Sequence, residues 1–352
     1  MAMLATLLAL SVLPAAGDAA SGTSKPAPAQ PSSYWGAWIG SQLTGESPPW
    51  DMSAVDKFSE LAGKGLSLVE FSAPFTECEG STCKPDHFPA DEMTEIRNYG
   101  AIPFFSWGSQ SIPMEGPPIQ PSFSLSRIIA GDYDSYLTEF AEAARAWGNP
   151  FFLRFDWEMN GNWLPWGEGA NGNNPGEFVA AWRHVHDIFT AVGATNATWV
   201  WCPYAFPTRP LAALKRSYPG NSYVDWTCLD GYNWGNNTVN PHPWRSFDAI
   251  FHHAYGQVVK GVAPKKPMLL AEVASGGSAH AKARWISQMF KALRTRYRRI
   301  RGLIWFDQVD RGVQWQIETS QGTSRAFARG IHPPAFKGNE FQQLTGPIRP
   351  PR

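Results

Sequence analysis

Along this chain, short apolar runs alternate with longer stretches in which apolar residues recur every three or four positions. The short runs read as buried strands and the longer stretches as amphipathic helices. Strands are predicted over residues 35–40, 66–73, 101–107, 150–155, 197–202, 226–232, 267–272 and 303–307. Helices fall between them at 53–62, 91–98, 132–147, 176–191, 211–217, 247–257 and 279–298, and an eighth at 320–328 closes the series. Asp51 and Ser53 are capping types ahead of the first helix. In the third, Tyr136, Phe140, Ala143, Ala144 and Trp147 share a face; in the fourth the stripe is Phe178, Ala181, Trp182, Val185 and Phe189, ending at Gly193. Such stripes are core.

Eight strand–helix units within roughly 300 residues match a (β/α)8 TIM barrel, read here as one domain over 34–330. A doubly wound open sheet is the competing architecture. It calls for a glycine-rich phosphate loop after the first strand, and WGAWIGSQLTG does not supply one. A barrel carries its active groups at the C-terminal ends of its strands, where Ser106, Trp107, Glu158, Tyr204, Asp230, Tyr232, Glu272 and Asp307 are expected. The loop at 108–131, rich in Pro and Ser, is expected to wall the cleft. The tail at 331–352 shows no periodicity and is expected to pack loosely or be disordered.

Composition narrows the class. Of 352 residues, 43% are hydrophobic and only 17% charged, so a large core is available. Thirty basic and 30 acidic side chains give zero net charge, which argues against nucleic acid or an anionic membrane as partner. The basic run at 291–301 ends a helical pattern, where cations complement the dipole and lie over the surface. Residues 1–20 resemble a secretory signal peptide, with cleavage after Gly17 or Ala20, and 21–33 read as a flexible linker. The expectation is a secreted monomer. Four cysteines fit an oxidising destination: Cys78 and Cys83 bracket a turn short enough to pair, while Cys202 and Cys228 either pair or stay as buried thiols. No histidine pair has ligand spacing, so neither metal nor cofactor is expected.

The chemistry concentrates in PFFLRFDWEMNGNWLPWG, residues 150–167. Glu158 sits between Trp157 and Met159, and loss of solvation should raise its pKa, as a proton donor near neutral pH requires. The plainer reading is a structural ion pair between Glu158 and Arg154. A second carboxylate favours catalysis: Glu272 closes the strand in KPMLLAEVASGG, and strand ends four and seven face one another across a barrel mouth. Two carboxyl groups about 5–5.5 Å apart make a retaining glycosidase, with Glu158 as acid/base and Glu272 as nucleophile. Trp recurs after predicted strands, at Trp107, Trp163, Trp166, Trp234 and Trp305, among 17 Trp in all. Aromatic faces pack against the C–H faces of sugars, so a polysaccharide is the expected partner.

These features resemble glycoside hydrolase family 26, whose best-known members are endo-β-1,4-mannanases. The resemblance covers most of residues 34–320. It rests on RFDWEMNGNWLPWG, YPGNSYVDWTCLDGYNWG, the strand-seven Glu and IWFDQVDRGVQWQIETS. It implies Glu158 as acid/base and Glu272 as nucleophile, with Arg154 orienting the carboxylates and Tyr232 bonding the nucleophile. It further implies stacking by Trp163 and Trp305; Trp107 and Asn160 join them as expected substrate contacts. One departure matters. The family usually has His before the acid/base, and here Trp157 stands there, able to donate one hydrogen bond but not to accept or titrate. This keeps mixed-linkage β-1,3-1,4-glucan and β-1,3-xylan as alternatives, while β-mannan stays the leading substrate. A non-catalytic carbohydrate-binding protein on a degenerate barrel is the reading from another class.

Overall fold

A computed structural model describes residues 30–352 except 81, 114–116, 208 and 238–241. The expected signal peptide and nearly all of the linker lie outside the described residues. Eight strands form the frame: β1 (Tyr34–Ile39), β2 (Leu68–Glu79), β3 (Ile102–Ile112), β4 (Phe151–Phe155), β5 (Ala197–Trp201), β6 (Trp226–Asn233), β7 (Met268–Ser275) and β8 (Ile300–Asp307). Each pairs in parallel with its neighbour, and β1 pairs with both β2 and β8, so the sheet closes. The helices between and after them are α1 (Ser53–Ala62), α2 (Ala90–Tyr99), α3 (Asp134–Trp147), α4 (Glu177–Val192), α5 (Leu211–Arg216), α6 (Phe247–Gln257), α7 (Ala279–Thr295) and α8 (Gln321–Ile331). The chain is a (β/α)8 barrel.

Period-two alternation along the strands divides the core. In β4, Phe151, Leu153 and Phe155 face the helices, whereas Phe152 packs inside the barrel. Arg154 therefore also points inward. On α4 the expected stripe is the buried face, Phe178, Ala181, Trp182, Val185 and Phe189. On α3 the buried face is Leu137, Phe140, Ala141 and Ala144, rotated slightly from expectation, so Tyr136, Ala143 and Trp147 sit only partly covered.

Two expectations need correction. β2 and β3 run past the barrel rim, and β2 turns back into a hairpin with Thr82–Pro85 that the Cys78–Cys83 disulfide staples. Much of the 108–131 segment is thus strand and short helix (Leu125–Ile129), and its described residues do not line the main cleft. The tail, expected to be loose, instead lies across the N-terminal end of the barrel. Carbonyls of Ile348, Arg349 and Pro351 accept from Trp226 Nε1 (2.9 Å), the Tyr34 hydroxyl (2.7 Å) and Arg301 Nη2 (2.7 Å), and Ile348 is buried among the interior residues. It binds through backbone carbonyls, which leave no periodic trace in a sequence. Deleting residues 338–352 is expected to destabilise the protein by about 3–5 kcal/mol, because buried donors lose their acceptors and Ile348 leaves a void. A thermal melt of the truncated protein checks this; an unchanged melting temperature would show the tail to be dispensable.

Register positions the chemistry. Ser106 of β3 lies beside Arg154 of β4, and Asp230 of β6 lies beside Glu272 of β7. Inward-pointing polar groups from β2, β3, β4, β6 and β7 thereby meet at the C-terminal end of the barrel. Cys202, just past β5, and Cys228 of β6 are bonded in a disulfide within the barrel interior, which decides between the two states left open above.

Candidate active site

The stretch after β4 leaves the strand by a forced path. Asp156 and Glu158 both take left-handed backbone angles, φ 44° and 54°, which non-glycine residues adopt only when their surroundings hold them. The holding groups are visible. Asp156 accepts from the Ser109 N–H and hydroxyl, both at 2.8 Å, and the Glu158 N–H donates to the Cys202 carbonyl at 2.7 Å. Trp166 Nε1 donates to the Trp157 carbonyl at 2.5 Å. Glu158 is thus fixed between the ends of β4 and β5.

Its carboxyl group has one specific partner, Trp163 Nε1, which donates to Oε2 at 2.5 Å. Gly161 makes room for that indole, since a Cβ there would stand 2.5 Å from the Trp163 ring. Burial, with added repulsion from Glu272, pushes the Glu158 carboxyl up to about 8, and the Trp163 bond opposes that rise. At neutral pH Glu158 carries a proton. Replacing Trp163 with Phe removes a donor that favours the ionised form, so the pKa of Glu158 should rise further. The alkaline limb of kcat/KM in Trp163→Phe should therefore move to higher pH while turnover falls; a limb that stays put or moves down contradicts this.

Glu272 stands opposite, in different company. Arg154 Nη2 donates to Oε1 at 2.5 Å, and the Tyr232 hydroxyl donates to Oε2. These donors suit a charged carboxylate. Arg154 is itself saturated: Nη1 bonds Asp230 at 2.9 Å, Nη2 also bonds Glu70 at 2.5 Å, and Nε bonds Ser106 at 2.7 Å. One guanidinium cannot neutralise three carboxylates. Burial, against the pull of Arg154, pushes Glu70 up to about 8, and burial likewise drives Asp230 well above the ordinary range. Of the three carboxyl groups that share Arg154, only Glu272 reaches the cleft.

One oxygen each of Glu158, Asp230 and Glu272 lie within 4.8 Å of one another. Three carboxylates so placed could in principle ligate a cation, but Arg154 already donates to two of them. Glu158 and Glu272 are each 8% exposed, so both reach the cleft and neither is sealed in the interior. The cleft encloses about 600 Å³, and aromatic rings supply about half of its lining: Trp38, Trp157, Trp163, Tyr204, Phe206, Tyr232, Trp234, Phe306 and Trp315. A proton-carrying acid, a clamped carboxylate and flat apolar faces are what cleavage of a glycosidic bond needs.

Of the residues singled out from sequence, Glu158, Glu272, Arg154, Trp157, Trp163 and Tyr232 meet in this cleft. Three do not. Trp305 is fully buried among Trp285 and Phe327 on the helix side of β8, its Nε1 bonded to the Trp315 carbonyl, and the neighbouring Phe306 takes the cleft position. Trp107 likewise faces the helices and stacks on Phe140 at 4.1 Å. Both err by one residue of strand parity. The Asn160 amide is spent on the Tyr204 backbone, bonding its N–H and carbonyl at 2.7 and 2.8 Å, so it shapes the wall without entering it. Glu70, Trp38, Phe206, Phe306, Trp315 and Arg245 were missed. Glu70 alone had a readable signal, a single acid in the apolar run LSLVEF.

Comparison with known proteins agrees with this geometry. The sequence matches "Glycosyl hydrolase family 26" over residues 127–320. It is 33% identical over 298 residues to Endoglucanase H of Acetivibrio thermocellus, an alignment covering 84% of this chain and 30% of that protein. Among solved structures it is similar to a Cellulomonas fimi endo-β-1,4-mannanase double mutant, at TM-score 0.66 and 17% identity, covering 91% of this chain and 76% of that one. A Bacillus subtilis mannanase aligns at TM-score 0.59 and 17% identity, covering 85% and 86%. A barrel with this cleft defines a glycoside hydrolase. The chain belongs to glycosyl hydrolase family 26. It spans less than a third of the length of Endoglucanase H.

Proposed function

We propose that this protein is a retaining, endo-acting β-glycanase in which Glu158 protonates the leaving oxygen and Glu272 attacks the anomeric carbon. The observation that carries the reading is the approach of the Glu158 and Glu272 oxygens to within 4.8 Å. Such an approach fits the close spacing of direct attack better than the wider spacing an inverting enzyme keeps for its water. In the first step the C1–O bond breaks, the leaving oxygen takes the Glu158 proton, and Glu272 bonds C1. In the second, Glu158, now ionised, removes a proton from water, which attacks C1 and releases Glu272. Arg154 and Tyr232 steady the carboxylate of Glu272 throughout.

The backbone we favour is mixed-linkage β-glucan. Trp157 offers an indole where the resembling family has His, so this side chain gives a mannosyl 2-hydroxyl no acceptor, and the name of the relative Endoglucanase H supports a glucan backbone. β-Mannan is the second reading, carried by the family resemblance. Reducing-end release from lichenan, mannan, glucomannan and β-1,3-xylan, measured side by side, separates them; comparable rates on mannan and lichenan would overturn the glucan preference. We also propose secretion, supported by two disulfides and the apolar leader. N-terminal sequencing of the exported protein tests it, and a retained leader in a cell-associated product refutes it.

A further inference from the structure

Among the described residues, one cation of the cleft has no charged partner. Arg154 is saturated by carboxylates, and Arg311 has Asp310 at 3.4 Å. Arg245, in the segment after β6, has neither an ion pair nor a hydrogen-bond acceptor for its guanidinium among the described residues. Yet it is firmly held. Its N–H donates to Asn233 Oδ1 at 2.8 Å, its carbonyl accepts from Trp285 Nε1 at 2.9 Å, and its guanidinium carbon lies 4.0 Å from the centre of the Phe206 ring. Both residues line the cleft and are partly buried.

A guanidinium stacked on an aromatic face gives up little freedom when it engages a ligand, and its planar fork of N–H groups matches a carboxylate at two points. Sugar hydroxyls could accept from it but would leave the charge unopposed. We propose that Arg245 on Phe206 is a subsite for a carboxylate borne by the glycan, such as a uronosyl side group. This rests on the glycanase reading but not on the mixed-linkage preference, whose polymer is unsubstituted, and adds the chemistry of a side group.

The test uses the full chain and two probes on one β-glucan backbone, a carboxymethyl derivative and a hydroxyethyl derivative of equal substitution. The wild type should prefer the carboxymethyl form by about tenfold in kcat/KM, as a charge-assisted bond at a partly exposed site provides. Arg245→Gln should bring that ratio close to unity, Arg245→Lys should leave it between, and added salt should erode it in the wild type. Affinity electrophoresis through gels containing each polymer reads the same ratio as binding. Absence of turnover with a retained binding ratio would thus sink the hydrolase and spare the subsite. A wild-type ratio at or below one in both assays, or a ratio unmoved in Arg245→Gln, overturns the proposal.

Discussion

Glu272→Ala lowers kcat on polysaccharide by at least about 10⁴-fold and leaves the fold intact. The activity falls because no other group stands where a covalent bond to C1 can form. Tyr232 is a phenol whose burial holds its proton firmly, and Asp230 is fully buried against Arg154, outside the cleft lining. The fold survives because Arg154 keeps Glu70 and Asp230 as partners, so no buried charge is left bare. Arg154→Met is the instructive contrast: it strands carboxylates in the interior and is expected to destabilise by about 3–5 kcal/mol. Steady-state kinetics with a thermal melt of each variant separate the two outcomes. Near-normal turnover by Glu272→Ala would remove it from the chemistry.

Glu158→Ala behaves differently according to the leaving group. On polysaccharide, whose departing alkoxide needs a proton, kcat/KM falls by about 10³-fold; on an aryl glycoside with an acidic phenol it falls by less than about tenfold. Azide, small and needing no deprotonation, should enter the space left by the side chain, accelerate breakdown of the glycosyl-enzyme and yield a β-glycosyl azide. The pH profile carries a second signature. Because the useful form of Glu158 is protonated and burial pushes its pKa up to about 8, wild-type activity should fall as pH rises through about 8. That limb should vanish for aryl glycosides in Glu158→Ala. Equal losses on both substrate classes would argue that Glu158 only supports structure.

The barrel was legible because each strand announces itself as a charge-poor run and each helix as a stripe. The proposed catalytic pair drew notice for a related reason: Glu158 and Glu272 interrupt apolar surroundings just where strands end. The cleft walls were harder. Which of Trp305 and Phe306 faces the sugar depends on strand parity, and the parity of β8 is fixed by Ile304 facing inward, a matter of register with neighbouring strands. Applying the parity that turns Arg154 and Ser106 inward would have turned Trp107 outward. Glu70 escaped because its partner Arg154 is 84 residues away and its own neighbours look like ordinary core. Arg245 escaped because nothing near it in sequence betrays that Phe206, from another loop, forms its seat.

The sharpest measurement is the anomeric configuration of the first product, followed by proton NMR immediately after enzyme is added to a β-glucan oligosaccharide. Two carboxyl groups as close as Glu158 and Glu272 predict that the β-hemiacetal appears first and then mutarotates. Initial release of the α-hemiacetal would mean that water, not Glu272, attacks C1, and would contradict the account.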